Sequence, residues 1–186
     1  REAEEIVREA IIVSELSNLI INLRINRVED ARNFSHSFSN LVDEKPVIEI
    51  NAHCRQPEII QRGGGQSLLS RFEIITDIIK AFQSKDFRVS LKFRGNAIAS
   101  NKFTPRINQW QLDYLHIDSY KIGEEGTDLS LLEEYSNSIN NPVIGNNSVV
   151  DRKSAQAILN TGAQFFSVAR AVQKNPLIFK ELVKDF

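Results

Sequence analysis

Apolar residues recur along this chain with two different spacings, and the two alternate. Ala3, Ile6, Val7 and Ala10 fall on one helical face, so residues 2–10 read as the end of an amphipathic helix. Leu19-Ile20-Ile21-Asn22-Leu23 is a short apolar run of strand character. Residues 28–42 return to helical spacing through Val28, Ala31, Phe34, Phe38 and Leu41. The run Pro46-Val47-Ile48-Glu49-Ile50-Asn51-Ala52 predicts the next strand, and from Gln66 onward Leu68, Phe72, Ile75, Ile79 and Phe82 mark a strong helix. Residues 88–93 alternate as a strand. A weaker helix over 104–111 follows, with Thr104 as its cap and Pro105 at its first position. Strands over 113–117, 141–146 and 164–170 then alternate with helices over 129–139, 151–161 (stopped by Gly162) and 176–184.

Strand then helix, repeated with short connections, is the pattern of a parallel sheet covered by helices. Six such units are readable, whereas a closed (β/α)8 TIM barrel has eight and runs to about 250 residues. Arg1 falls inside a predicted helix. The expected architecture is therefore a TIM barrel with about its first two β/α units missing from the chain; an open six-stranded sheet is the competing one. No repeat, low-complexity tract or linker interrupts residues 1–186, which predicts a single domain.

Composition narrows the function classes. The 186 residues are 41% hydrophobic and carry 23 basic and 24 acidic side chains, a net charge of -1. That balance supplies no overall electrostatic attraction to nucleic acid or membrane. One cysteine excludes an internal disulfide and points to a reducing, cytoplasmic setting. No apolar run is long enough to span a bilayer. One cysteine and three scattered histidines offer no metal-ligand spacing, so no metal is expected.

In parallel α/β folds chemistry collects at the carboxyl ends of the strands. Those ends carry, in order, Asn22 and Arg24; Asn51, His53 and Cys54; Lys92 and Arg94; His116 and Asp118; Gly145, Asn146 and Asn147; Ala169 and Arg170. A lone cysteine is most often a small buried hydrophobe, and its reactivity depends on its surroundings. Lys92 in an apolar alternating strand is harder to place, since lysine is almost never fully buried without a partner. His116 reads first as a hydrogen-bonded core histidine and second as a site residue, and His36 reads as solvated surface. His53 and Cys54 are neighbours in sequence, and adjacent strand residues point to opposite faces. The cluster Gly63-Gly64-Gly65 matches neither phosphate-binding glycine motif and reads as a flexible turn. The loops after the last two strands are better anion candidates.

These segments resemble, in order, those of the tRNA-dihydrouridine synthases. Ile50-Asn51-Ala52-His53-Cys54 and the glycine loop leading to Gln66-Ser67-Leu68-Leu69 resemble that family's Asn-x-Gly-Cys-Pro strand end. Leu91-Lys92-Phe93-Arg94 is similar to its Lys-x-Arg strand, and His116 stands where the family has a histidine. Val143 to Asn147 resembles its Asn-Gly-Asp turn. Ser167-Val168-Ala169-Arg170-Ala171 with Asn175-Pro176-Leu177-Ile178-Phe179 resembles its closing Gly-Arg-Gly and Asn-Pro-Trp-Ile-Phe segments. Arg55 replaces the proline after the cysteine, His53 the glycine before it, and Ala169 the last glycine before arginine.

The resemblance implies an FMN-dependent barrel enzyme that reduces uridine in tRNA with NADPH or NADH as electron donor. Cys54 would be the catalytic proton donor, with Asn51 and Arg94 binding substrate. Asn22, Lys92 and His116 would hold the flavin ring system, and Gly145, Asn146, Asn147, Ala169 and Arg170 its phosphate. tRNA is the implied partner, although the family's helical RNA-binding domain does not follow before Phe186. Two alternatives stand beside this expectation: a dihydroorotate dehydrogenase-like flavoenzyme, and a non-catalytic barrel that has lost its flavin.

Overall fold

A computed structural model describes residues 3–14, 17–39 and 45–183. The elements run α1 (Ala3–Ser14), β1 (Ile20–Leu23), α2 (Val28–Ser39), β2 (Val47–Ala52), α3 (Pro57–Gln61), α4 (Phe72–Gln83), β3 (Arg88–Arg94) and α5 (Ser100–Ile107). They continue with β4 (Tyr114–Asp118), α6 (Leu129–Ser138), β5 (Val143–Asn146), α7 (Arg152–Leu159), β6 (Phe165–Ser167), α8 (Arg170–Lys174) and α9 (Ile178–Leu182). The six strands stand in chain order, and β1–β2, β4–β5 and β5–β6 pair in parallel. The chain divides into two units, Arg1–Lys92 with Trp110–Asp113, and Phe93–Gln109 with Tyr114–Phe186.

In the first unit β2 is buried along its whole length, as an interior strand of a parallel sheet must be. Ile48, Ile50 and Ala52 alternate with Val47, Glu49 and Asn51, so a carboxylate and an amide occupy one face of an otherwise apolar strand. Helices α2 and α4 are joined by rings. Phe34 stacks on Phe38 at 5.2 Å and meets Phe82 edge-on at 6.2 Å, while Phe87 packs on both Phe38 and Phe82. Such aromatic pairs add directional energy to the area they bury. Residues 110–113 belong here because Trp110 donates its indole N–H to Thr76 at 2.8 Å and Asp113 accepts from Arg88 and from the Val89 amide at 2.9 Å each.

In the second unit Phe93 lies edge-on to Phe103 at 4.9 Å and to Tyr135 at 5.3 Å. The Tyr135 hydroxyl donates toward the carbonyls of Gly95 and Ile98, and burial pushes its pKa well above the ordinary phenol range. Gly145 sits in β5 where a Cβ would come 2.4 Å from Ile158 and 2.8 Å from Leu132. Helices α6 and α7 therefore pack closely on the strand at that point.

Several element boundaries differ from the sequence expectation. The helix expected over 104–111 is α5, which begins at Ser100 after Ala99, so Pro105 lies inside it rather than at its first position. Phe103 and Ile107, four residues apart, are both buried, and their burial outweighs the amide hydrogen bond that proline removes on the exposed side. The helix expected from Gln66 is split: Gly65–Ser70 is a 3-10 turn, and α4 starts only at Phe72. The short α3 adds to the expected elements, and Pro57 stands at its first position, where proline suits a helix start. The last strand ends at Ser167, and Arg170 opens a helix instead of closing the strand. Asp151 caps α7 rather than lying within it. Glu2, Leu41, Val42 and Lys184, placed in helices by spacing, lie outside the described residues.

Candidate active site

The first unit brings Asn22, Asn51, Cys54 and Lys92 to one region through strand alternation. Parallel register sets Asn22 of β1 opposite Glu49 of β2. The Asn22 amide donates to Glu49 Oε1 at 2.7 Å, and Asn51 Nδ2 donates to Asn22 Oδ1 at 2.8 Å. Asn51 Oδ1 in turn accepts the backbone N–H groups of His53 at 3.1 Å and Cys54 at 2.9 Å. An asparagine bonding its own chain two and three residues on is the ordinary way to turn a strand end. On β3, Ser90 donates to Glu49 Oε2 at 3.3 Å. Lys92, two residues further along, shares that face by the strand period.

Cys54 is a free, half-buried thiol. Its loop is closed by the glycine cluster. The Gln66 amide donates to the Cys54 carbonyl at 2.8 Å, and Gly65 takes φ +55 where a Cβ would lie 2.4 Å from that oxygen. The glycines thus serve a close backbone approach. Lys92 is half-buried, and among the described residues its amine makes no hydrogen bond or ion pair. An ammonium with no anion beside it among the described residues can pair with an anionic group that a ligand brings.

In the second unit Arg94 is engaged by the protein itself. Its guanidinium lies 3.4 Å from Asp118 Oδ2 and 5.4 Å from the centre of the Tyr120 ring. His116 is 7% exposed and shares a 2.9 Å hydrogen bond with the Ser167 hydroxyl. The turn after β5 carries Asn147 at φ 119 and Ser148 at φ 52, the left-handed region. Asn147 Nδ2 donates to the Gly126 carbonyl at 2.9 Å, and its own carbonyl accepts from Thr127 at 2.7 Å. Arg170, exposed at the start of α8, reaches Asn147 Oδ1 at 3.5 Å. Asn146 and Ala169 flank this pair, and the Asn146 carbonyl accepts from the amide and hydroxyl of Ser119 at 3.1 Å each. For Gly145, close packing under α6 and α7 is by itself a sufficient reason for the glycine.

Glu49, Ser90 and Ser167 complete these networks and do not stand out as strand-end residues. Glu49 does carry a signal in the sequence: an acid inside an apolar strand needs a partner. Among the described residues no cluster of three or more His, Cys, Asp or Glu is arranged to hold a metal ion. No helix there is long and apolar enough to cross a membrane.

No protein-family profile matches the chain. An uncharacterized protein of Methanocaldococcus jannaschii is 30% identical over 176 residues, covering 91% of this chain and 66% of that protein. The tRNA-dihydrouridine synthase B of Proteus vulgaris is 24% identical over 145 residues, covering 73% of this chain and 45% of that enzyme. The chain thus spans about two thirds of the first relative and less than half of the second. Among solved structures, the DHODH of Eimeria tenella in complex with ferulenol superposes with a TM-score of 0.66 at 13% identity, covering 89% of this chain and 57% of that one. The chain is thus similar, at low identity, to tRNA-dihydrouridine synthases, and it has a parallel α/β fold with TIM-barrel-like neighbours.

Proposed function

We propose that this chain is the flavin-binding part of an FMN-dependent oxidoreductase that reduces the C5–C6 double bond of a pyrimidine. Uridine in tRNA is the first candidate substrate, with NADPH or NADH as electron donor. The observation that carries the proposal is Lys92: a half-buried ammonium near a strand's carboxyl end, with no partner among the described residues. A fixed cation of this kind stabilises negative charge on a reduced flavin ring. The donor set fits such a group. In the same unit as Lys92, Asn22 is exposed and keeps the amide hydrogen that it does not give to Glu49.

In the first unit Asn22 and Lys92 would hold the flavin ring. Asn51 sets the turn that presents Cys54 and keeps one N–H for the pyrimidine. The Cys54 thiol gives its proton to one carbon of the double bond, and the resulting thiolate is reprotonated from solvent. When bound, FMN supplies the hydride for the other carbon. In the second unit Ser167 orients His116 and Asp118 holds Arg94, so each would be presented in a fixed direction to a ligand bound there. In that unit Gly145, Asn146, Asn147, Ala169 and Arg170 would hold a phosphate group.

A visible spectrum of the purified full-length protein tests this directly. Flavin absorption, bleached by NADPH or NADH and restored by uridine-containing tRNA, is the expected result. Restoration failing while dihydroorotate reduces the oxidised flavin transfers the proposal to a dihydroorotate dehydrogenase-like reaction. A colourless protein that takes up no added FMN overturns it.

A further inference from the structure

Glu49 is a charged residue in the middle of a fully buried strand, only 4% exposed, and nothing in the proposed chemistry uses it. Its bonds show what it does. A carboxylate oxygen facing an amide can only accept, so Asn22 must turn its NH2 toward Glu49 Oε1. That leaves Asn22 Oδ1 facing Asn51, which must answer with its own NH2. Asn51 Oδ1 is then the atom left for the backbone N–H groups of His53 and Cys54, which can only donate. The polarity of both amides is therefore dictated from the two ends of the chain. With Ser90 holding the second carboxylate oxygen, Glu49 cannot rotate away without losing two bonds. Asn51 is itself 6% exposed, so an inverted amide there would bury two N–H groups against two more.

We propose that Glu49 is a positioning residue for Cys54, acting through Asn22 and Asn51 to fix the turn that presents the thiol. Its consequence for turnover presupposes the proton-donor role of Cys54 proposed above; its consequence for the turn does not. Without Glu49 the Asn22 amide gains a free choice of orientation, Asn51 follows, and the turn at 53–54 opens.

Backbone amide exchange separates this role from ordinary loss of stability. In Glu49→Leu, the amides of His53 and Cys54 should exchange at least about tenfold faster, the loss of roughly one hydrogen bond's net stabilisation, while those of α4 keep their rates. Glu49→Gln restores the slow rates, because its carbonyl still accepts from Asn22 and its NH2 can donate to Ser90. Asn22→Ala, at an exposed position, reproduces the faster exchange and adds nothing to Glu49→Leu in the double variant. If Glu49→Leu does not fold, Asn22→Ala and Glu49→Gln decide. Unchanged rates at His53 and Cys54, or acceleration spread equally over α4, overturns the proposal. In turnover of uridine-containing tRNA, Glu49→Leu should lower kcat at least about tenfold with little change in KM. Faster exchange with undiminished kcat, in an enzyme that Cys54→Ala also leaves active, removes the proton-donor role of Cys54 and leaves the positioning of its turn standing.

Discussion

Gly65 passes the backbone of Cys54 so closely that a Cβ on residue 65 would stand 2.4 Å from the Cys54 carbonyl oxygen. The same glycine takes φ +55, and the next amide, that of Gln66, bonds that carbonyl. The thiol loop is therefore held from two sides, by Asn51 at its start and by the glycine segment at its end. Gly65→Ala adds a backbone clash to left-handed strain and should cost about 1–3 kcal/mol. Urea denaturation gives the loss, and alkylation of the chain's single cysteine should change rate in the same variant. A variant as stable as the parent would mean the approach relaxes freely.

Removing the thiol tests chemistry apart from structure. Cys54→Ala should keep bound flavin and the parent's stability while turnover of uridine-containing tRNA falls by about 10²-fold or more, as for loss of a positioned general acid. Single-turnover oxidation of reduced flavin measures it. Loss of flavin from this variant would make Cys54 structural.

Lys92→Ala removes a half-buried cation with no counter-ion among the described residues. Stability should be unchanged, because the amine makes no hydrogen bond or ion pair among the described residues that the substitution would remove. FMN retention or its rate of reduction should fall. Thermal denaturation with and without added FMN separates the two effects. A variant that loses stability and keeps normal flavin behaviour contradicts the assigned role.

Gly145→Ala asks whether that glycine serves packing or an anion. Its Cβ would press on Ile158 and Leu132, and overpacking of this kind costs about 1–3 kcal/mol. Denaturation midpoints should drop accordingly. Normal stability with lost FMN binding would instead mean that the glycine is needed for the phosphate.

Asp151 caps α7, accepting from the Ser154 amide at 2.7 Å in a reciprocal capping box. The Ser154 backbone N–H first, and its hydroxyl second, hold the Asp151 carboxyl below the ordinary carboxylate range. A carboxyl whose folded pKa lies below its unfolded one contributes stability above the unfolded value and loses it as pH falls through the folded value. Asp151→Ala should cost about 0.5–2 kcal/mol at neutral pH. The gap between variant and parent should close as the pH is taken below about 4, the ordinary carboxylate range. Urea midpoints at neutral and acid pH check both; a gap independent of pH would mean the aspartate acts by shape alone.

The chain's own pattern determined the order and kind of its strands and major helices, because apolar spacing is a local property that survives without knowledge of neighbours. It also located Asn22, Cys54, Lys92, His116 and Arg170 near strand carboxyl ends, since alternation followed by polar residues marks where a strand leaves the core. Helix starts were less legible: α5 begins four residues before Thr104, because burial of Phe103 and Ile107 outweighs the boundary suggested by Pro105. Only the tertiary structure decided which side chains meet. Glu49 and Asn22 are 27 residues apart and become partners through parallel register. Gly65 became obligatory through the return of the chain past Cys54, and Arg94 was drawn to Asp118 across 24 positions. Such pairings depend on how distant segments are brought side by side, and no residue's sequence neighbours record that.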